Sequence, residues 1–412
     1  MRKIPTAWWA ARVVGCALLG ALAALQAAAD EKEPASTMGG ALRDGKFTLG
    51  LRYRYEFVDQ DGIDDRAHAS TLRTAVGYDS RPFHGFSAGF EVEDVTAIGN
   101  DRLYNNAGAP GLGNGVTDRP TVADPEITEF NQVHLVFEGP RGTRIRGGRI
   151  EYVLDNQRFI GNVGWRQNHQ SFDAATLASD ALENWHFAYA YLDRQHAVTG
   201  AANPMASHLV HVAFDSRLGK AAAYGYLLDF ENAALHGNSS STYGLRLDGT
   251  AGVSRFTVLY LGEYARQSDH ADNPRQFGLD YVHAVLGAKW SAWALRGGYE
   301  MLRGDGTGAF QMPLGTNHQF NGFADKFLTT PSDGLRDFYG RLSWDWKTAS
   351  VFVDYHVFEA DEGDESYGDE LDFQAQYSTP WKQQFAAKAA VYKAERFATD
   401  TTKLMLWTAW GF

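Results

Sequence analysis

The chain has 412 residues, 13% aromatic and 21% charged, with 38 Lys+Arg against 50 Asp+Glu and one cysteine, Cys16. So acidic a balance argues against a nucleic-acid partner. A single cysteine excludes an intrachain disulfide and a thiolate metal cluster.

Arg2 and Lys3 precede an apolar run from Val13 to Leu25, closed by Ala27-Ala28-Ala29 before Asp30. This reads as a secretory signal peptide over residues 1–29, cleaved after Ala29. Val13-Val14-Gly15-Cys16 offers a competing lipoprotein box, against which stand Arg12 and the apolar run beyond Cys16. Cleavage removes three basic residues and no acidic one, leaving 35 Lys+Arg against 50 Asp+Glu, a net charge of −15. Beyond Ala29 no stretch reaches the ~18 apolar residues of a membrane helix. Residues 30–45 read as a short periplasmic segment and 46–412 as one continuous domain, with no linker or change of texture.

The first strand is the clearest. Phe47, Leu49, Leu51, Tyr53, Tyr55 and Phe57 share one face, and Thr48, Gly50, Arg52, Arg54 and Glu56 the other. Similar alternation recurs around Phe86–Val92, Trp185–Tyr191, Tyr224–Phe230, Phe256–Tyr264, Trp293–Met301, Phe338–Trp346, Val351–Val357 and Leu371–Tyr377. Most of these runs extend past the ~5–6 residues of a soluble strand toward the ~9–11 of a membrane strand. The chain ends on Phe412 after Leu404, Leu406, Thr408 and Trp410 on one face, the pattern of a barrel's closing strand. A strand in lipid must pair on both edges, so the barrel has to close.

Short connections fall near Ser80–His84, Gly139–Gly142, Asp180–Leu182, Ser216–Lys220, Gly249–Val253, Ser291–Ala292, Lys347–Thr348 and Thr379–Lys382. Long ones fall near Val58–His68, Ala97–Pro125, Leu154–Gln170, Gln195–Ala206, Glu231–Ser240, Gln267–Gln276, Arg303–Gly334, Asp361–Glu365 and Ala398–Thr401. Eight short turns and nine long loops imply an all-β, antiparallel up-and-down transmembrane barrel of about 18 strands, or 16 if two weak strands drop out. The weakest segments are Phe172–Ser179 and Leu209–Phe214. Barrels of this size leave an aqueous channel, and the few residues between Asp30 and the first strand leave no room for a plug domain.

Phasing turns several arginines inward. Arg52, Arg54, Arg73, Arg144 and Arg146 form a cluster on neighbouring strands, joined as pore-lining candidates by Arg149, Arg296 and Arg341. Two uses are open: cross-strand ion pairs with inward carboxylates that stiffen the wall, or a positive stripe for an anionic solute. The third loop carries Arg158, Phe159, Trp165 and Arg166, and the seventh runs Phe320-Asn321-Gly322-Phe323-Ala324-Asp325-Lys326-Phe327. Loop tips are usually small and polar, so this apolar content predicts loops that fold back onto protein and narrow the channel. Trp165 and Phe159 either stack on sugar faces beside carboxylate-binding Arg158 and Arg166, or pin the loop to the wall.

At these loops the chain resembles the alginate export family of outer-membrane porins. The resemblance rests on Leu154 to Gln170 with Phe172-Asp173-Ala174-Ala175-Thr176-Leu177, on Phe320 to Phe327 with Leu328-Thr329-Thr330-Pro331 and Gly334-Leu335, and on the opening Tyr53-Arg54-Tyr55-Glu56, Phe86 and the run Phe90–Asp94. It implies an 18-stranded barrel in the Gram-negative outer membrane, passive passage of a polar, anionic or carbohydrate solute, and a monomer. It does not imply alginate. The family's namesake exporter is thought of as arginine-rich, whereas the inward charge here is mixed. The external loops carry acidic runs at Asp59, Asp61, Asp64, Asp65 and at Asp361, Glu362, Asp364, Glu365, which would repel a polyuronate unless divalent ions screened them. Lipid, lipopolysaccharide and the solute are the expected partners.

The rival classes are an enzymatic barrel, a closed structural barrel and a general diffusion porin. The chain has no HExxH, no GxSxG and no phosphate loop. His134, His186 and His356 fall on separate strands and are expected in the pore wall. No catalytic residue, metal site or cofactor is expected.

Overall fold

The computed structural model describes residues 34–412, so the signal peptide and the lipoprotein alternative lie outside the described residues. In chain order the strands are β1 (Lys46–Gln60), β2 (Ala67–Asp79), β3 (Phe86–Ala97), β4 (Ile127–Glu138), β5 (Thr143–Ile150), β6 (Ser171–Ser179), β7 (Trp185–His196), β8 (Ala202–Ser216) and β9 (Gly219–Leu228). They continue as β10 (Ser240–Val253), β11 (Phe256–Asp269), β12 (Gly278–Trp290), β13 (Trp293–Leu302), β14 (Leu335–Trp346), β15 (Ala349–Glu359), β16 (Ser366–Ser378), β17 (Gln383–Ala394) and β18 (Thr401–Gly411). Each pairs antiparallel with its sequence neighbours, and β1 pairs with β18 from Gly50↔Gly411 to Gln60↔Thr401. The ring closes with no free edge, as backbone in lipid requires.

The barrel is inside-out. Phe47, Leu135, Leu245 and Leu286 are exposed on its outer wall, while Glu56, Glu300, Asp354, Glu370, Lys388 and Lys403 are buried inside. Trp185, Trp290, Trp293, Trp346 and Trp381 stand exposed beside the short turns, where an aromatic girdle meets the headgroups. Both segments with the faintest pattern are strands, β6 and the 15-residue β8.

Several connections are tighter than their polar composition suggests. Strands β7 and β8 pair as far as His196↔Ala202, so residues 197–201 alone form the fourth loop. Pairing of β1 with β2 reaches Val58↔Ala67. Phe230 falls beyond β9 and makes an isolated bridge to Met205. Ahead of β1 a short helix, α1 (Met38–Arg43), is capped by Thr37, whose hydroxyl accepts from the Gly40 N–H.

The third loop, L3 (151–170), and the seventh, L7 (303–334), fold into the lumen. Ile160, Trp165, Phe310, Leu314, Phe323 and Phe327 from these loops form one buried cluster with wall residues Tyr224, Tyr281, Phe358, Tyr392 and Met405. The loops also bind each other: Gly161 N–H donates to Leu314 O at 2.9 Å and Thr316 N–H to Gln157 O at 2.9 Å. Gly161 has no room for a side chain, because a Cβ there would collide with Thr316.

Candidate functional site: the channel interior

Direction is set by strand phase, but partner is set by what the folded loops bring within reach. Arg52 in β1 donates to Gln167 Oε1 at 2.8 Å, to Gly164 O at 2.8 Å and to the Arg166 carbonyl. Arg54, fully buried, donates to Trp165 O at 2.6 Å and is ion-paired with Asp124 and, at 3.2 Å, with Glu56. Arg73 takes Glu91 at 3.1 Å and Glu93 at 2.7 Å. Arg146 holds Gln132 Oε1 at 2.8 Å and His134 Nδ1 at 3.1 Å, and Arg144, near the second short turn, pairs with Glu138 at 2.5 Å. The expected positive stripe is therefore occupied by protein: Arg52 and Arg54 seat L3, and the others stiffen the wall.

Loop arginines behave alike. Arg158 Nε donates to Glu300 Oε1 at 2.7 Å and Nη2 to Asn321 Oδ1 at 2.7 Å, with its guanidinium 4.6 Å from the Phe320 ring. Arg166 reaches Glu56 at 3.3 Å and Asp325 at 3.4 Å. Trp165 stacks on His318, centroids 3.4 Å apart and planes 10° apart, with the Arg54 and Arg166 guanidiniums 4.7 and 4.1 Å from its ring. Phe159 packs on Tyr224 at 5.2 Å and Tyr281 at 5.4 Å. Of the two uses open for these residues, pinning is the one the geometry carries. Neither ring presents a face to a sugar, and neither arginine has a hand free for a carboxylate.

Arg149 differs again. Its neighbour Ile150 is buried in the lumen cluster, so alternation puts Arg149 on the outer wall in register with exposed Val133. There it pairs with Asp173 at 3.0 Å. The bulges at Glu91/Val92 and Asp173/Ala174 shift the phase of the strands around it. It does not line the channel.

At L7, Asp325 gathers Lys403 Nζ at 2.6 Å, His318 Nδ1 at 2.6 Å and Arg166, while Lys388 Nζ lies 2.9 Å from His318 Nε2. Burial would push the Asp325 carboxyl up, but His318, Lys403 and Arg166 hold it well below its ordinary value. Burial also drives His318 well below its own. L7 is held further by its backbone: Phe323 N–H donates to Asp372 at 3.0 Å and Ala324 N–H to Glu370 at 2.6 Å.

A cavity of ≈ 660 Å³ lies between these loops and the short-turn rim, bounded by Phe320, Asn321 and Phe323 of L7 and by residues from β8 to β17. Four residues that line it each hold a buried polar atom without a hydrogen-bond partner: Arg296 Nη1, His283 Nδ1, Gln319 Nε2 and Ser343 Oγ. Arg296 stands directly opposite Arg341 in the register. Like charges so placed repel, and only Arg341 is neutralised locally, by a bidentate pair with Asp354. Among the described residues Arg296 has no ion pair. Phe352 and Tyr339 supply flat apolar surface beside it. His283 and Gln319 carried no signal in the sequence, since one is a lone histidine on a strand and the other an amide in a loop.

The model of the alginate export family matches residues 44–315. The chain belongs to that family. No curated protein matches it. Among solved structures, the outer-membrane protein OpdK of Pseudomonas aeruginosa aligns with TM-score 0.70 at 13% identity, covering 90% of this chain and 100% of OpdK, which has also been solved with vanillate. OccAB4 of Acinetobacter baumannii gives 0.71 at 12% identity over 89% of this chain and 98% of its own, and OccD3 of Pseudomonas aeruginosa 0.68 at 16% over 90% and 92%. At such identities these neighbours speak for the fold. Family and fold together make this alginate export family member a porin-like channel of the Gram-negative outer membrane.

Proposed function

We propose that the channel passes small organic anions, carbohydrate acids among them, and is not an enzyme. The observation that carries this reading is Arg296, which has no ion pair among the described residues and lines a cavity with aromatic walls beside three other residues that hold an unpartnered polar atom. A carboxylate there would satisfy the guanidinium, while an apolar ring or sugar face would lie on Phe352 or Tyr339. The volume falls within the ~300–1,000 Å³ of small-molecule sites. A neighbour of the same fold crystallised with vanillate, an aromatic carboxylate, is consistent with that chemistry. Passage of a polyuronate would require L3 and L7 to leave the lumen against their buried ion pairs. We take the protein as a monomer surrounded by lipid and lipopolysaccharide.

Liposome swelling tests the reading. Potassium glucuronate should enter faster than a neutral sugar of the same size, and Arg296→Gln should abolish the difference. Equal entry in the native protein would mean a general diffusion porin, which the otherwise ion-paired wall favours.

A further inference from the structure

The residues ahead of β1 lie on the lipid side of the barrel rim. Tyr78 is in register with Phe47 and Phe90, its ring 4.7 and 6.1 Å from theirs, and both phenylalanines are exposed on the outer wall. Tyr78 therefore points outward. Its hydroxyl donates to the Leu42 carbonyl, and a Cβ at Gly45 would collide with its ring, so the chain from 42 to 45 drapes over an outward-facing side chain. Two backbone bonds fix the segment to the first short turn: Arg81 N–H to Ala41 O at 3.0 Å and Ala35 N–H to Pro82 O at 2.9 Å. Ala41 is buried in that contact. Met38 and Leu42, one helical turn apart, are left 66% and 55% exposed, and Phe47 of the lipid-facing wall is 72% exposed.

We propose that α1 is an interfacial anchor: Met38 and Leu42 insert into the phospholipid leaflet next to the short turns, extending the apolar outer wall past the end of β1. The partner is the bilayer surface. Continuity with the lipid-facing wall decides this, because the same side chains in water would be an apolar face stranded at the membrane's edge. Arg43, exposed and ion-paired with Asp44 at 2.9 Å, stands at headgroup level, where a basic residue meets phosphate. Anchored in this way, residues 35–45 sit beside the channel mouth and not across it.

The test uses the full chain with Cys16→Ser, which removes its only cysteine. Single cysteines replace Met38, Leu42, Gly39 or Phe47, each labelled with a nitrobenzoxadiazole fluorophore in phosphatidylethanolamine/phosphatidylglycerol vesicles. Labels at 38 and 42 should be quenched by shallow doxyl-lipid to the same extent as the label at 47 and shielded from aqueous iodide. The label at 39, about 100° round the helix from Met38, should be more open to iodide than those at 38 and 42. Iodide access at 38 and 42 without doxyl quenching would overturn the proposal. As a label-free check, Met38→Ser with Leu42→Ser should speed tryptic cleavage at Arg43 several-fold in vesicles, and unchanged cleavage would count against the anchor.

Discussion

Asp325→Ala removes a carboxylate on which L7, L3 and strand β18 converge. Lys403 Nζ and His318 Nδ1 each lie 2.6 Å from it and Arg166 Nη2 3.4 Å, all nearly fully buried. Arg166 keeps Glu56, but Lys403 has no second carboxylate within ion-pair reach among the described residues. Stranding one partner of a buried pair costs about 3–5 kcal/mol. The β-ladder does not pass through L7, so that cost falls on the docked state of the loop and not on the barrel. At ~1.4 kcal/mol per decade, the ratio of docked to undocked loop should fall by roughly two to three-and-a-half decades. Single-channel recording should show larger mean conductance and frequent flicker between levels, with the barrel still heat-modifiable on gels. Asp325→Asn keeps an acceptor for Lys403 and should lie between the two. A folded Asp325→Ala protein with native conductance, native noise and native resistance of L7 to protease would refute the reasoning.

Trp165→Ala removes the His318 stack and two cation–π contacts. The expected loss is about 3–5 kcal/mol in seating L3, read as new proteolysis within 151–170. Glu151, at the root of L3, bonds His169 Nδ1 at 2.8 Å and Asn162 Nδ2 at 2.5 Å. Burial opposes its ionisation, but His169 and the amides hold its pKa down at about 2. A depressed carboxyl contributes stability in full above its ordinary value near 4.5, lost as pH falls through the folded value. Channel noise should therefore rise as pH drops from about 4.5 toward 2, and Glu151→Gln should be noisy already at neutral pH.

The architecture was legible because a membrane strand repeats one simple pattern over ten or more residues. Period-two alternation located the strand cores, and the long polar break at 303–334 coincides with L7. The pattern was faint in β6 and β8, where Ala174, Ala175 and Ala178 blur one and polar Asn203, Ser207 and His208 the other. The fate of the arginines was not legible. Phase tells which way Arg52 and Arg296 point, but the first meets the carbonyls of a loop more than a hundred residues away and the second lines a cavity with no ion pair among the described residues. Arg149 lies outside by the plain alternation of β5, which pairs without a register shift, so its place opposite Arg144 and Arg146 was legible in the sequence. A six-residue helix containing Gly39 and Gly40 has neither the length nor the propensity to announce itself.

The account turns on Arg296 facing the solute path while the other pore-lining candidates hold protein or face outward. Reversal potential across a potassium chloride gradient measures this most directly, in the native protein, in Arg296→Glu and in Arg149→Ala. The native channel should favour chloride, Arg296→Glu should carry the preference to potassium, and Arg149→Ala should leave it unchanged. A preference that survives Arg296→Glu would contradict the account.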